Sequence, residues 1–286
     1  WCELAKLLLK PLSLTIRAAT HTGVEGKEVT GVHITNCTVS GHGRHGIDLE
    51  GTDSGVASSH VYSVGGSGMR ITGGEAITLT PGNMYAHNNH VEHIGLWKRT
   101  YQPALFWGGV NNTFSRNRLE HGPAMCIWGG GNVADGVDCR FDSNTVSHCV
   151  TETCDQGSFH TCGQSGNAFI NRGNVMENGY FEHIQPGDGV LTPARGLPAI
   201  CAPMTVGFYM DDEMSGWTVR NNTFIDCQTA MLLGGGRDAI IMGNRIQNCS
   251  LGLEFDNRGM NWEKDTNCPL AIEGLRKTLA GPAGAI

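Results

Sequence analysis

The hydrophobic residues of the chain fall in short runs that alternate with polar residues and are separated by turns rich in Asn and Gly. Gly46-Ile-Asp-Leu-Glu-Gly51 is one such run, and Gly68-Met-Arg-Ile-Thr-Gly73 repeats its alternation farther along the chain. An alternation with a period of two predicts β-strands that bury one face. We therefore expect a chain built of many short strands.

The same motifs recur at a fixed spacing. Asn222 and Cys227 are followed by Asn244 and Cys249 at the spacing that also separates Gly46 from Gly68. Looser copies of this motif begin at Asn36, Asn89, Asn117, Asn144 and Asn178. Strands this short cannot bury their apolar face alone, so each must stack on its copy in the next coil.

This recurrence predicts an all-β solenoid, a right-handed parallel β-helix with coils of about 22 residues, because parallel crossovers are almost always right-handed. The coils would stack about 4.8 Å apart, with ladders of Asn side chains and with Cys227 directly beside Cys249. Leucine-rich repeats would require a consensus dense in Leu, and propeller blades would require periods nearer to about forty residues.

We expect one domain over residues 1–286, since large all-β folds of this length often form a single unit. The Pro- and Gly-rich segment 186–203 is expected to interrupt the repeat as a loop, and residues 266–286 to form a C-terminal tail or cap. The chain opens without an initiator Met, which indicates a truncated or processed N-terminus. Neither a signal peptide nor a membrane span is visible.

Composition narrows the function classes. The 41 Gly residues against 10 Pro fit repeated tight turns better than a disordered linker. A net charge of −7 without a cluster of Lys or Arg excludes the electrostatic footprint of a nucleic-acid-binding protein. The 11 Cys residues lack CxxC or zinc-module spacing and favour a secreted protein, although their pairing cannot be read from the spacing.

Three aligned coils bring candidate catalytic carboxylates together. Asp211, Gly234 and Asp256 occupy the same position in successive coils, one repeat apart in each case. The two aspartates would lie about 9.6 Å apart, and side chains that lean together would reach the separations of paired glycosidase acids. Gly234 would leave room between them for a sugar ring or a water molecule. Asp212 adds a third carboxyl to the candidate catalytic group.

Charged neighbours complete the predicted groove. Arg237 and Arg258 would keep one carboxylate ionised while a more buried carboxyl stays protonated, the division that acid–base chemistry requires. Asp155 and His160 are expected to line the same groove and, with Gly234, Arg237 and Arg258, to bind the substrate. A simpler interpretation stays open, because an Asp at a strand end is often a turn residue and an Arg beside a carboxylate is often only a surface ion pair.

Aromatic and histidine residues add weaker signals. Candidate sugar-stacking residues are Trp97, Tyr101, Trp217 and Trp262. Inward packing fits Trp107 and Trp128 at least as well. Four histidines follow Asn-initiated strands at one recurring place, namely His93, His121, His148 and His183. This repetition predicts a structural position in each coil rather than metal ligands, and we expect no metal and no cofactor.

A series of segments carries a family resemblance. The segments are Thr151-Glu-Thr-Cys-Asp-Gln-Gly-Ser-Phe-His-Thr-Cys-Gly163, Arg172-Gly-Asn-Val175, Tyr209-Met-Asp-Asp-Glu-Met-Ser-Gly-Trp217, Leu233-Gly-Gly-Gly-Arg-Asp238 and Phe255-Asp-Asn-Arg-Gly-Met-Asn-Trp262. This series resembles the motifs of secreted right-handed β-helix repeat proteins of the pectate-lyase-like superfamily, over roughly residues 85–265. The chain departs from the usual motif at Gln156 and His160. The resemblance implies an extracellular protein with a carbohydrate ligand, since related β-helices include lyases, epimerases and glycoside hydrolases.

The sequence thus favours a glycoside hydrolase acting on a polysaccharide or oligosaccharide. One of Asp211, Asp212 and Asp256 would donate a proton to the leaving oxygen, and another would act as base or nucleophile. A polysaccharide lyase or epimerase is an alternative, with Arg237 or Arg258 as the base of a lyase. A non-catalytic solenoid that binds glycans or serves a structural role is the other alternative.

Overall fold

The computed structural model describes residues 14–131, 134–163, 172–187 and 204–258. Within these ranges all regular elements are β-strands, and there is no helix long and apolar enough to span a bilayer. The strands are β1 (Thr15–Arg17), β2 (Val24–Thr30), β3 (His33–Thr35), β4 (Thr38–Ser40), β5 (Ile47–Thr52), β6 (Gly55–Ala57), β7 (His60–Tyr62), β8 (Met69–Glu75), β9 (Thr80–Pro81), β10 (Tyr85–His87), β11 (His90–Glu92), β12 (Leu105–Val110), β13 (Thr113–Ser115), β14 (Arg118–Glu120), β15 (Ile127–Gly131), β16 (Gly136–Val137), β17 (Arg140–Asp142), β18 (Thr145–Ser147), β19 (Gln156–Cys162), β20 (Val175–Glu177), β21 (Tyr180–Ile184), β22 (Thr205–Asp211), β23 (Thr218–Arg220), β24 (Thr223–Cys227), β25 (Thr229–Gly234), β26 (Ile240–Met242), β27 (Arg245–Gln247) and β28 (Leu251–Asp256).

The strands form three sheets that the chain visits in turn. The nine-stranded sheet has the order β1-β4-β7-β11-β14-β18-β21-β24-β27, and the eight-stranded sheet has the order β26-β23-β20-β17-β13-β10-β6-β3. The third, which we call the long sheet, has the order β2-β5-β8-β12-β15-β19-β22-β25-β28, with β9 and β16 at its margins. Apart from the β8–β9 pair, the pairings between described strands are parallel. The predicted right-handed parallel β-helix is confirmed.

The predicted period is present in the coils whose sequences repeat most clearly. Ile47 pairs with Met69, as expected from the repeated Gly-bounded runs. Strands β24 and β27 pair at the same offset, which places Cys227 beside Cys249, and burial together with this second thiol raises the pKa of Cys227. Other coils are longer, since Phe159 pairs with Phe208, more than two repeats farther along the chain. The sheets stay in register across these longer coils.

Apolar side chains from all three sheets fill the interior. Phe114 stacks on Phe141 with ring centroids 4.9 Å apart, and other aliphatic and aromatic side chains repeat this packing along the axis. Trp107 is fully buried in this core. Stacking places like side chains over one another, so successive coils bury a continuous apolar column.

Asparagine ladders close the corner between the eight- and nine-stranded sheets. The Nδ2 group of Asn89 donates to Oδ1 of Asn117, and Nδ2 of Asn117 donates to Oδ1 of Asn144, each over 3.0 Å. Asn222 donates to Asn244 in the same way, also over 3.0 Å. The predicted ladders are therefore present, and they satisfy buried polar groups at the turns.

A disulfide joins two neighbouring coils. It links Cys126 and Cys149, whose Cα atoms lie 5.8 Å apart, and Cys154 is disulfide-bonded as well. Cys139 and Cys227 are buried thiols instead. The cysteines thus divide between cross-links and small apolar core residues, the two possibilities that their spacing left open.

Candidate functional site

The outer face of the long sheet carries a continuous column of side chains, one from each coil. The column consists of Glu25, Asp48, Arg70, Phe106, Trp128, His160, Tyr209, Leu232 and Glu254. Their sequence neighbours, such as Phe159 and Phe208, point into the core because strand residues alternate between faces. A second column, two residues farther along the strands, contains Cys162, Asp211, Gly234 and Asp256.

Arg258 lies between the two aspartates that the sequence aligned. Its Nη1 group donates to Oδ1 of Asp211, and its Nη2 group donates to Oδ2 of Asp256. Its Nε group lies 2.9 and 2.8 Å from the two oxygens of Asp256. Asp211, Asp212, Asp256, Arg258 and His160 form what we call the carboxylate site.

Gly234 pairs with Asp256, and the preceding pair, Met210 with Leu233, places Asp211 on its other side, as the alignment predicted. The space above Gly234 is nevertheless not open. A Cβ atom at this position would lie 2.7 Å from Nε and 2.8 Å from Cζ of Arg258. The expected room for a sugar ring or water is filled by the guanidinium group, so that prediction was wrong.

His160 supports Asp211 from the preceding coil. Its Nδ1 atom accepts a hydrogen bond from the backbone N–H of Gly157 at 3.3 Å, so the neutral ring carries its proton on Nε2. That Nε2 atom lies 3.4 Å from Oδ2 of Asp211. The imidazole is therefore oriented to donate to the carboxylate.

Tyr209 connects Asp155 to the same network. Its hydroxyl group donates to Oδ1 of Asp155 at 3.2 Å and accepts from Nη1 of Arg258 at 2.9 Å. Its ring packs on His160 with centroids 4.6 Å apart. Asp155 and His160 thus lie in one cluster with Asp211, while their role in substrate binding stays a prediction.

The carboxyl groups of the site differ in their proton affinity. Burial disfavours the charge of Asp211, but hydrogen bonding from His160 and the charge of Arg258 outweigh it and lower its pKa. Burial and the negative charge of Asp211 raise the pKa of Asp212 to about 6. Hydrogen bonding from Arg258 lowers the pKa of Asp256. Adjacent carboxyls with opposite shifts can serve as proton donor and anionic partner.

Cys162 is a site residue that the sequence did not reveal. Its thiol donates to Oδ2 of Asp212 at 3.6 Å, and it pairs with Asp211 across β19 and β22. One ligand atom each from Cys162, Asp211 and Asp212 lies within 4.8 Å of the other two, so this trio is a possible metal-binding set. The long coil between β19 and β22 hid this neighbour from an argument based on the short repeat.

Other predicted residues lie elsewhere. Trp217 is fully buried, with its ring 5.4 Å from Phe159 and 5.6 Å from Phe208, so the expectation that it stacks on a sugar was wrong. It precedes β23 at a corner where its ring points into the core. Arg237 borders a cavity of about 770 Å³ that also adjoins Asp256 and Arg258.

Some expectations fall outside the described residues. Trp262, nearly all of the 186–203 insertion and the 266–286 tail belong to this group. The predicted position of the insertion beside the groove stays a prediction.

A pocket of about 550 Å³ lies on the long sheet at its N-terminal end, and we call it the aromatic–basic pocket. Its lining includes Lys27, Arg44, His45, Arg70, Trp97, Lys98, Tyr101, Phe106 and Trp128, together with two carboxylates, Glu25 and Asp48. Asp48 lies 3.6 Å from both Lys27 and Arg70, so its charge offsets part of their positive charge. Trp97 is 80% exposed, and the guanidinium carbon of Arg70 lies 3.9 Å from the centre of the Phe106 ring. Burial and the charges of Arg70 and Arg44 lower the pKa of His45 to about 4.

This pocket was only partly predictable. Trp97 and Tyr101 were recognised as exposed aromatic residues, and both line it. The basic residues were not linked to them, since they are scattered over separate coils and the net charge of the chain is negative. The fold concentrates positive charge locally in an acidic protein.

Comparison with known proteins gives one match. Residues 22–192, more than half of the chain, match the family model described as a right handed beta helix region. No curated protein and no solved structure matches the chain. The matched segment contains the aromatic–basic pocket and ends before Asp211, so it assigns no role to the carboxylate site.

Proposed function

The chain belongs to the right-handed β-helix family, and on this premise we propose that it is a glycoside hydrolase acting on a polysaccharide bound along the outer face of the long sheet. The observation that carries the proposal is the pair Asp211 and Asp212, whose pKa values shift in opposite directions. This pair lies on the same sheet face as the aromatic residues Phe106 and Trp128, and Trp128 is partly exposed. Acid–base chemistry and a sugar-stacking surface are thus adjacent.

The aromatic–basic pocket supports binding of an acidic saccharide. Exposed aromatic faces stack on sugar rings, and Trp97, Tyr101 and Trp128 offer such faces. Arg44, Lys98 and other cations around them would pair with carboxylate or sulfate groups. We therefore propose an anionic polysaccharide as the substrate class.

The two regions are close enough for one glycan chain to occupy both. Trp128 pairs with His160, and His160 pairs with Tyr209, so two coil steps of about 4.8 Å separate the pocket from the carboxylate site. A polysaccharide that runs parallel to the solenoid axis would cross the aromatic rings and then reach Asp211. The pocket would hold the chain, and the carboxylate site would cleave it.

The two carboxyls take different parts in the proposed reaction. Asp212, with its pKa raised to about 6, donates its proton to the glycosidic oxygen as the bond from that oxygen to the sugar carbon breaks. Ionised Asp211 attacks the same carbon and forms a glycosyl ester. Water then attacks this ester while Asp212, now ionised, accepts a proton from the water. Asp211 and Asp212 have oxygens within 4.8 Å of each other, which is shorter than the roughly 5–5.5 Å of retaining glycosidases and much shorter than the roughly 6.5–9.5 Å of inverting ones, so we assign the retaining mechanism.

We assign Asp256 and Arg258 the role of positioning Asp211 and stabilising its charge. Asp256 holds the guanidinium group that stabilises the charge of Asp211. Burial opposes the charge of Arg258, but hydrogen bonds to Asp256 and Tyr209 and the charge of Asp211 outweigh it, so the pKa of Arg258 is raised. A guanidinium that holds its proton so strongly is a poor base, which weighs against a lyase that uses Arg258.

We also propose that the protein works outside the reducing cytoplasm. The disulfide between Cys126 and Cys149, and the further bonded Cys154, support this location. Structural disulfides persist in extracellular and periplasmic compartments and are rare in the cytosol.

A polysaccharide screen with product analysis tests the proposal. We expect acidic polysaccharides to yield saturated products with new reducing ends, and Asp212→Asn to abolish their release. Asp142→Asn, which changes an Asp on the eight-stranded sheet, is the matched control and should cleave normally. Unsaturated products would identify a lyase, and binding without turnover would identify a glycan-binding module.

A further inference from the structure

Histidines line the outer face of the nine-stranded sheet, away from the carboxylate site. His60 of β7 stacks on His90 of β11 with ring centroids 4.6 Å apart and planes 1° from parallel. A second row lies at the following turn, where His93, His121, His148 and His183 follow one another at centroid distances of 4.8, 5.0 and 5.1 Å. The second row confirms the recurring structural position predicted for these four residues.

Glu92 lies between the two rows. Its Oε1 atom is 2.9 Å from Nε2 of His60 and 3.9 Å from Nε2 of His90. Its Oε2 atom is 3.4 Å from Nε2 of His93. One carboxylate oxygen therefore faces the stacked pair of imidazoles, and the other faces the turn.

We propose that His60, His90 and Glu92, the histidine–glutamate cluster, bind a divalent transition-metal ion such as Zn²⁺. One ligand atom from each of the three lies within 4.8 Å of the others. A tetrahedral zinc ion with bonds of about 2.0–2.1 Å sets its ligand atoms about 3.3 Å apart, and the two distances from Oε1 of Glu92 bracket this value. The two rings are stacked in parallel planes, so binding would require them to rotate until the lone pairs of both nitrogens point at one ion.

The ligand chemistry selects the ion. Two imidazole nitrogens and one carboxylate oxygen suit zinc, copper and nickel, whereas calcium and magnesium prefer sites made of oxygen alone. The side chains of His60, His90 and Glu92 are 38%, 34% and 20% exposed, so an ion can reach them while their packing limits their motion. His93, which could join Glu92 and His121 in an alternative set, is 56% exposed and less constrained.

Glu120 in the next coil contacts the same nitrogen of His90 that faces Glu92. It accepts from Nε2 of His90 at 2.7 Å and is itself held by Arg118 at 2.9 Å and by the hydroxyl group of Ser147 at 3.3 Å. An ion bound at Nε2 of His90 would displace the proton of this nitrogen and its hydrogen bond, and Glu120 would remain beside the ion as a nearby negative charge. The ion would link β7 and β11, which pair in successive coils, and would stabilise the folded chain by binding it preferentially.

Calorimetric titration of tag-free protein with zinc chloride tests the proposal. We expect one equivalent to bind, and His60→Ala or His90→Ala to weaken the affinity at least as much as the roughly 10- to 100-fold loss caused by removing an outer partner. His148→Ala changes a histidine of the second row outside the cluster and should leave the affinity within about twofold. An equal concentration of calcium should not compete.

Glu92→Gln removes the carboxylate and keeps the shape of the side chain. It therefore separates loss of the zinc ligand from loss of the fold. Zinc should raise the melting temperature of the wild type and should not raise that of this variant. The proposal is overturned if the wild type shows no saturable zinc binding, or if a His60→Ala/His90→Ala double variant binds as tightly as the wild type. Loss of binding only in Cys162→Ser, or only in His93→Ala/His121→Ala, would place the ion in another cluster and would also overturn it.

Discussion

The two halves of the long sheet use the same strand positions on its outer face but place different chemistry there, and His160, Tyr209 and Leu232 in the second half are buried. At the carboxylate site, the charged groups pair with each other, and Arg258 contacts both Asp211 and Asp256. In the aromatic–basic pocket, Trp97 is exposed and several cations border a cavity of about 550 Å³. The repeated backbone supplies one geometry, so the side chains alone divide the face into a region of paired charges and a region of aromatic and cationic residues.

The local fields of the two regions have opposite sign. In the pocket, burial and neighbouring cations lower the pKa of His45 to about 4. At the carboxylate site, burial and the charge of Asp211 raise the pKa of Asp212 to about 6. Under the proposed function, the cations of the pocket would attract an acidic glycan, and the charge of Asp211 would retain a transferable proton on Asp212.

The largest expected effect is the loss of activity in Asp212→Asn. Removing the proton donor should lower kcat by roughly 100- to 10,000-fold, the usual contribution of general acid catalysis. Because Asp212 must be protonated, the wild-type rate should fall as the pH rises through about 6. Steady-state rates across pH measure both effects. A variant with more than a third of the wild-type kcat would exclude Asp212 as the acid.

The next effect is on stability, in Arg258→Met. Losing the guanidinium leaves two carboxylates without their cation, and for partly exposed groups we expect a loss of about 1–3 kcal/mol in the free energy of unfolding at neutral pH. Asp211 and Asp256 have lowered pKa values, so this stabilisation exists above the unfolded pKa of about 4 and disappears as the pH falls through the folded values. Urea denaturation at neutral and acidic pH measures both the loss of unfolding free energy and its dependence on pH.

Arg245→Met is the control for that experiment, since this exposed cation contacts Gln247 and no carboxylate of the site. Its free energy of unfolding should stay within about 0.5 kcal/mol of the wild type. Equal losses in the two variants would show that Arg258 contributes no more than an ordinary surface cation.

A smaller effect is expected in the pocket. Trp97→Ala should weaken binding of an acidic oligosaccharide by about 2- to 10-fold, the contribution of one aromatic contact, with kcat almost unchanged. Leu96→Ala is the matched control, because Leu96 is exposed beside Trp97 but does not line the pocket. Fluorescence titration measures the affinities. A large fall in kcat for Trp97→Ala would contradict the separation of binding from chemistry.

The smallest effect is expected for Gly234→Ala. The added methyl group would meet the flexible end of the Arg258 side chain at 2.7–2.9 Å, so the side chain can shift, and the free energy of unfolding should fall by no more than about 1 kcal/mol. The shift should weaken the contact with Asp211 and raise the pKa of that carboxyl. A thermal melt and a carboxyl titration check these outcomes, and an unchanged Asp211 pKa would show that Arg258 does not set it.

The sequence predicted which residues align across successive coils, but it did not predict which side chain fills the space beside them. Asp211, Gly234 and Asp256 align because stacking repeats the same backbone position at near-constant spacing. The same argument located Cys227 beside Cys249. Whether Arg258 turns back over Gly234 depends on a turn beyond β28 and on charge attraction, neither of which the period contains.

Long coils and corners limited the prediction further. Cys162 pairs with Asp211 across a coil more than twice as long as the short repeat, so no motif linked them. Trp217 stands at a corner where strand alternation does not fix its direction. His60 and Glu92 meet across coils that differ in length from the short repeats. Contacts between side chains on coils of unequal length can be identified only from the assembled sheets.

The most direct test of the account is a carbon-13 NMR titration of the aspartate carboxyls, with Asp212→Asn used to assign the Asp212 signal. The account predicts that Asp212 titrates with a midpoint of about 6, while Asp211 remains ionised at pH values below the ordinary aspartate range. Titration of both carboxyls near the ordinary pKa of about 4 would contradict the proposed division into proton donor and nucleophile.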